Sequence, residues 1–287
     1  MHIEELCPPK ENEKYYLLSP QKLYAHKDSL AFVKLPKAQQ KAQADVRVAV
    51  ILGKEKEDYA MDYHYVDALS LFDFDIYFIH YEDVDAQLEQ ISPHAILLPG
   101  GSFDSPKEFY AHPEFLPSTH HVSTRSLAYI YAIDYAKENK IPMLGICAGF
   151  QMLAGMYGAK MYASVHKELA GSIEHKKTGD VYAHKVNILP QTHLAAICPN
   201  LEFEVNSVHS EAVIKDESEL EGIRFCAFAP DDAVEALEGS EDYFVLGVQW
   251  HPEYFVNKDA PSRAIFEAFY SAGKKRKEEE NANRRTD

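Results

Sequence analysis

Between Val46 and Tyr157, short apolar runs alternate with stretches of helical period, and this alternation narrows the fold more than any other feature of the chain. Val46–Leu52, Ile76–Ile79, Ala95–Leu98 and Met143–Ile146 read as buried strands. Tyr59–Ser70, Val84–Ile91, Ser123–Glu138 and Ala148–Tyr157 read as the helices between and after them. On Ser123–Glu138 the expected inner face carries Leu127, Ile130 and Tyr131. On Ala148–Tyr157 it carries Met152, Leu153 and Met156. Strands joined through helices make right-handed crossovers and a parallel sheet covered on both sides. The expected class is α/β, a mostly parallel sheet with helices on both faces. In such sheets the working loops lie beyond the carboxyl ends of the strands.

After Tyr157 the pattern changes. Val181–Leu189, Glu202–Val205, Ile223–Ala229, Ala233–Leu237 and Phe244–Gln249 are short β-type runs without long helices between them, which predicts a smaller antiparallel region. Asp231-Asp232 and Gly239-Ser240 fit its hairpin turns. Asp259 and Pro261 open a last helix carrying Ile265, Phe266 and Phe269. The expected organisation is an N-terminal extension over 1–44, one domain over 45–272 and a charged tail over 273–287. The extension has no clear period, and its end, Lys37–Ala44, reads as a linker. The tail, from Lys274 onward, reads as a frayed, solvated end.

Two loops fall at strand ends where chemistry is expected. Pro99-Gly100-Gly101-Ser102 follows the third strand, and its backbone N–H groups can face a developing oxyanion. Cys147 stands between the fourth strand and its helix, flanked by Gly145 and Gly149. Glycines there allow a strained turn that holds one side chain out of the backbone. The helix N-terminus beyond it favours thiolate over thiol. Farther on, the last strand delivers His251-Pro252-Glu253, in which Glu253 can fold back to hold the imidazole of His251. A histidine oriented in that way can take a thiol proton and return it to a leaving amine.

Charge and cysteine usage bound the rest. Lys and Arg number 29 against 45 Asp and Glu, a net charge of −16, which argues against a nucleic-acid or anionic-membrane partner. The four cysteines show no C-x-x-C pair or metal-ligand spacing, which points to a reducing compartment. His112, His120 and His121 share a loop but lack companion ligands, so no metal and no cofactor is expected. No run approaches the roughly 18 apolar residues of a membrane helix, and Met-His-Ile-Glu-Glu is too acidic to begin a signal peptide. The expected location is cytoplasmic.

Leu-Leu-Pro-Gly-Gly, Gly-Ile-Cys-Ala-Gly-Phe-Gln, Val-Asn-Ser-Val-His-Ser-Glu-Ala and Gly-Val-Gln-Trp-His-Pro-Glu occur in the order seen in class I glutamine amidotransferases. The last two segments more closely resemble the γ-glutamyl-γ-aminobutyrate hydrolase branch (peptidase C26). The resemblance spans roughly Val46 to Ala272. It implies a flavodoxin-like fold, with Cys147 as nucleophile, His251 as general base and acid, and Glu253 as its orienting partner. It also implies an oxyanion hole from the backbone N–H groups of Gly101 and Ala148. Gln151 and the turn Val208, His209, Ser210 and Glu211 would cradle the α-amino and α-carboxylate groups of a γ-glutamyl moiety, with His209 equally readable as a structural histidine. The chain departs from the branch at Ala148, where arginine is usual, at Ser126, where aspartate usually follows Arg125, and at Ser210. The alanine is expected to open the leaving-group side. The implied activity is cysteine-dependent hydrolysis of a small γ-glutamyl amide, releasing glutamate and an amine. Two other readings stay open, a glutaminase subunit feeding ammonia to a separate synthase and a catalytically silent binding protein. So does a homo-oligomer.

Overall fold

The computed structural model describes residues 45–55, 58–102, 104–239 and 243–284, together with two short strands, Tyr15–Leu18 and Val33–Lys34. The linker reading of Lys37–Ala44 and Ser240 of the second expected hairpin turn lie outside these residues.

The first half is the expected alternation. Strand β1 (Val46–Ile51) leads to helix α1 (Tyr63–Ser70), β2 (Phe74–Ile79), α2 (Val84–Ile91), β3 (Ala95–Leu98), α3 (Thr124–Asn139), β4 (Met143–Ile146) and α4 (Ala148–Met156). The second half contributes β5 (His184–Ile188), β6 (Glu202–Val205), β7 (Ile223–Phe228), β8 (Val234–Gly239), β9 (Val245–Val248) and a long final helix, α5 (Ala260–Asn283). The central sheet runs β6-β5-β7-β8-β9-β4-β3-β1-β2, with Val33–Lys34 at the edge beside β2. From β2 to β9 through β1, β3 and β4 the strands are parallel. This is the doubly wound order 2-1-3-4 with β9 in fifth place. From β9 to β6 every pairing is antiparallel, so the smaller antiparallel region is an extension of the same sheet.

Because both faces of the parallel part are covered, its strands are apolar throughout and feed two cores by simple alternation. Val48 and Val50 pack on the face shared with Phe266 and Phe269 of α5. Ala49 and Ile51 pack on the other face with Tyr129 of α3 and Phe150 of α4.

Four expectations are corrected. Tyr59–Asp62 is strand, not helix. Asp58–Asp62 pairs antiparallel with Gly53–Glu55 on one side and with Tyr15–Leu18 on the other. Helix α1 starts only at Tyr63 because the Asp62 side chain accepts the His64 N–H and caps it. On α3, Leu127 and Tyr131 face solvent, 44% and 51% exposed. The buried stripe is Ala128, Tyr129, Ala132, Ile133 and Ala136, because alanines at four-residue spacing let the helix seat closely where bulkier side chains would hold it off. The glycines beside Cys147 are also absent from the positive-φ residues; the unusual φ belongs to Cys147 itself. Their missing side chains make room instead, since a Cβ on Gly149 would strike Leu98 O and one on Gly145 would strike Leu153. Finally, the charged run from Lys274 is helical to Asn283. Glu280 accepts from His94 Nε2 at 2.9 Å and pairs with Arg47 at 3.2 Å, while Lys277 pairs with Asp45. Among the described residues, no helix is long and apolar enough to cross a membrane.

Candidate active site

β3, β4 and β9 lie side by side and parallel, so their carboxyl ends deliver three loops to one place. β4 delivers Cys147. Its N–H donates to Val248 O at 2.8 Å, and its own carbonyl accepts from Gln151 N at 3.0 Å. The residue is caught between a finished strand and a starting helix, at φ 51°, ψ −107°. That conformation costs on the order of 1–3 kcal/mol and persists only where the surroundings enforce it.

β9 delivers His251. Its Nδ1 lies 2.6 Å from Glu253 Oε1, and its ring lies beside Cys147. Burial alone would push the imidazole pKa down. The neighbouring Glu253 carboxylate and Cys147 sulfur outweigh it and hold His251 well above its ordinary value. Asn206 clamps this loop from behind, its Oδ1 accepting His251 N–H at 2.8 Å and its Nδ2 donating to His251 O at 3.0 Å.

β3 delivers Gly100 and Gly101. Gly101 has φ +144°, and a Cβ there would collide with Arg125. A Cβ on Gly100 would sit 2.7 Å from His251 Cε1. The loop is fixed by side chains from two helices. Gly100 N–H donates to Tyr65 Oη at 2.8 Å, Arg125 donates to Gly100 O at 2.7 Å and to Tyr129 Oη at 2.9 Å, and Tyr129 Oη donates to Pro99 O at 2.5 Å. Ser126, at the usual aspartate position, donates to Asp104 O.

Two clefts meet at Cys147. One is bounded by Asp62, Tyr65, Arg125, His251, Glu253 and Tyr254. The other is bounded by Asp104, Ala148, Gln151, Lys176, Val208, His209, Ser210 and Glu211. Gln151 Nε2 donates to Glu211 O at 3.2 Å and to Gln249 Oε1 at 3.0 Å, tying α4 to the 208–211 turn. Glu211, hydrogen-bonded by Tyr110 Oη, is pushed up to about 7 by burial. The His209 ring turns inward: Nδ1 donates to Glu211 O at 2.8 Å, Nε2 faces Glu235, and burial holds its pKa down at about 4. Ala148 lines the cleft that contains Gln151 and not the one beyond His251.

The structure thus brings Cys147, His251, Glu253, Gly101, Ala148, Gln151 and the 208–211 turn together. Sequence reasoning missed Tyr65, Tyr129 and the clamp role of Asn206. Asn206 stood inside a quoted segment and could have been flagged as a buried amide. Tyr65 and Tyr129 carry no local signal, because each is one aromatic on a helix.

A family profile for peptidase C26 matches residues 54–253. Protein NtpR of Enterococcus hirae is 30% identical over 190 residues, 64% of this chain and 76% of that protein. Gamma-glutamyl-gamma-aminobutyrate hydrolase PuuD of Escherichia coli K12 is 32% identical over 198 residues, 64% of this chain and 74% of that one. Among solved structures, the glutaminase domain of Trypanosoma brucei CTPS, with bound acivicin, superposes with a TM-score of 0.55 at 18% identity, covering 79% of this chain and 94% of that domain. It shares the fold.

Proposed function

The chain belongs to the peptidase C26 family and is a glutamine-amidotransferase-like hydrolase, and from that premise we propose that it cleaves γ-glutamyl amides of extended amines through a cysteine thioester. The observation that carries this reading is the placement of Cys147, beside a Glu253-held His251, where two clefts meet. His251 takes the thiol proton, and the sulfur attacks the γ-carbonyl as a thiolate. The N–H groups of Gly101 and Ala148 receive the oxyanion; Ala148 is the first residue of α4, where an N–H has no partner within the helix. His251 then protonates the departing nitrogen, the amine leaves, and a γ-glutamyl thioester remains. Water, deprotonated by the now neutral His251, attacks the thioester; glutamate departs and the thiolate is restored.

The cleft beside Gln151 carries both signs of charge, with Lys176 and Asp104 on its walls, as a zwitterionic α-amino acid head requires. The cleft beyond His251 supplies room for an amine larger than ammonia, and its PuuD relative is by name a hydrolase of such a compound.

The test is a panel of γ-glutamyl amides and glutamine, assayed with the protein alone. At least one amide of an extended amine should be hydrolysed faster than glutamine, and a trapped adduct should map to Cys147 by mass spectrometry. Preference for glutamine, or activity only after a second protein is added, would overturn the reading in favour of an ammonia-donating subunit.

A further inference from the structure

Beside the 208–211 turn, four buried side chains converge to which the hydrolytic chemistry assigns no step. His175, His184, His209 and Glu235 each point one ligand-type atom at a common centre, all within 4.8 Å of one another. Glu235 Oε1 lies 3.7 Å from His175 Nδ1, 3.6 Å from His184 Nε2 and 3.7 Å from His209 Nε2. These separations are too long for hydrogen bonds. His184 Nε2, His209 Nε2 and both Glu235 oxygens are buried without a hydrogen-bond partner among the described residues. Buried polar atoms are nearly always partnered, so four at one point call for a specific cause.

The opposite nitrogens of the three rings supply it. His175 Nε2 donates to Asp231 Oδ2 at 2.9 Å, His184 Nδ1 to Lys185 O at 3.0 Å and His209 Nδ1 to Glu211 O at 2.8 Å. In a neutral ring, each of these acceptors holds the proton on the outer nitrogen and leaves a lone pair on the inward one. Ser207 Oγ, 3.5 Å from His175 Nδ1, spends its proton on His175 O at 2.8 Å. Three lone pairs and a carboxylate aimed at one another repel unless a cation lies between them.

We propose that His175 Nδ1, His184 Nε2, His209 Nε2 and Glu235 bind one divalent transition-metal ion of the zinc type. Zinc takes nitrogen and oxygen ligands at about 2.0–2.2 Å in a tetrahedron, whose edges are then about 3.3–3.6 Å, close to the separations found around Glu235. The carboxylate–histidine–metal relay through Asp231 is the outer-shell arrangement that metal-bound histidines use. Charge balances as well: Glu235 and Asp231 together offset the two positive charges of the ion. Four protein ligands close the coordination sphere, so the ion is structural. It would tie together the loop before β5, β5, the substrate turn and β8 at a single point. Glu235 O also accepts Gln249 N–H at 2.7 Å, two residues before His251.

The test uses the full chain, stripped with a chelator and titrated with Co²⁺ or Zn²⁺. Co²⁺ should produce the intense visible bands of a tetrahedral ion, saturating at one equivalent and displaced by Zn²⁺. With free Zn²⁺ at about a hundred times its Kd, Tm should rise by about 5–10 °C. The bands should survive Cys147→Ser and be lost in His184→Gln. Asp231→Asn, which removes no ligand, should weaken binding about 10–100-fold. Absence of stoichiometric bands and of a Tm rise in the wild-type chain would overturn the site, whether or not the variants fold. So would bands that vanish in Cys147→Ser but persist in His184→Gln, since the metal would then sit on the catalytic thiol.

Discussion

Cys147, Cys198 and Cys226 are all free and buried, and what separates them is the company of a base. Burial pushes the Cys198 thiol up to about 12 and Cys226 well above its ordinary value, so both stay protonated at neutral pH. Cys147 alone of the three faces His251. Iodoacetamide at pH 7 should therefore label Cys147 first, read by peptide mapping, and Cys147→Ala should lose essentially all turnover while Cys198→Ser and Cys226→Ala keep most of it. Predominant labelling of Cys226 would sink the nucleophile assignment. The partners of the cysteine can be ranked too. His251→Ala removes both proton transfers and should lower kcat by about 10⁴-fold, at the upper end for acid–base catalysis. Glu253→Gln leaves an imidazole that still reaches the sulfur, and its loss should be smaller, about 10²-fold. The ranking fails if the glutamine variant is the more damaged of two folded proteins.

Helix α5 shows how an element's length can escape the sequence. Its start was legible, because Asp259 caps it by accepting the Ser262 N–H and Pro261 sits in its first turn. Its end was not, because a run of mixed charge looks the same frayed or helical until the partners are known. Those partners, Arg47 and His94, come from the opposite end of the domain. The strand-to-helix elbow was legible for the reverse reason: strand, cysteine, helix and both glycines are contiguous. The inner face of α3 was misread because close seating, not hydrophobicity, selected its alanines. Glu280→Ala should cost about 1–3 kcal/mol by stripping a buried ring nitrogen of its partner, seen as a lower Tm with kcat nearly unchanged. His94 also sets a pH response. Burial, with Arg47 adding to it and Glu280 opposing, holds it down at about 4 against an ordinary 6.5. The unfolded chain thus binds a proton that the folded chain refuses, so stability falls as pH drops from about 6.5 to about 4 and is unaffected above that window. His94→Gln should flatten that part of a Tm-against-pH curve.

At the scale of the whole molecule, the triad and oxyanion residues stand in the loops after β3, β4 and β9 and at the start of α4, whereas Tyr15–Leu18 pairs with the Asp58–Asp62 strand, whose end borders one cleft. A chain begun at residue 45 should keep kcat on a small amide within about threefold while losing Tm and altering its choice among amines, since the strand edge at Asp62 loses its neighbour. Complete inactivity of a folded truncation would show that the extension helps to build the site. The pairing of β9 with β4 carries a consequence for the order in which the chain is made. The nucleophile leaves the ribosome 104 residues ahead of its base, and β9 cannot take its place beside β4 until the antiparallel strands between them in sequence have been synthesised. A pairing of such long sequence separation closes late. Until it does, Cys147 lacks both His251 and the second cleft wall, so the catalytic pair is assembled only after every strand from β5 to β9 has been made.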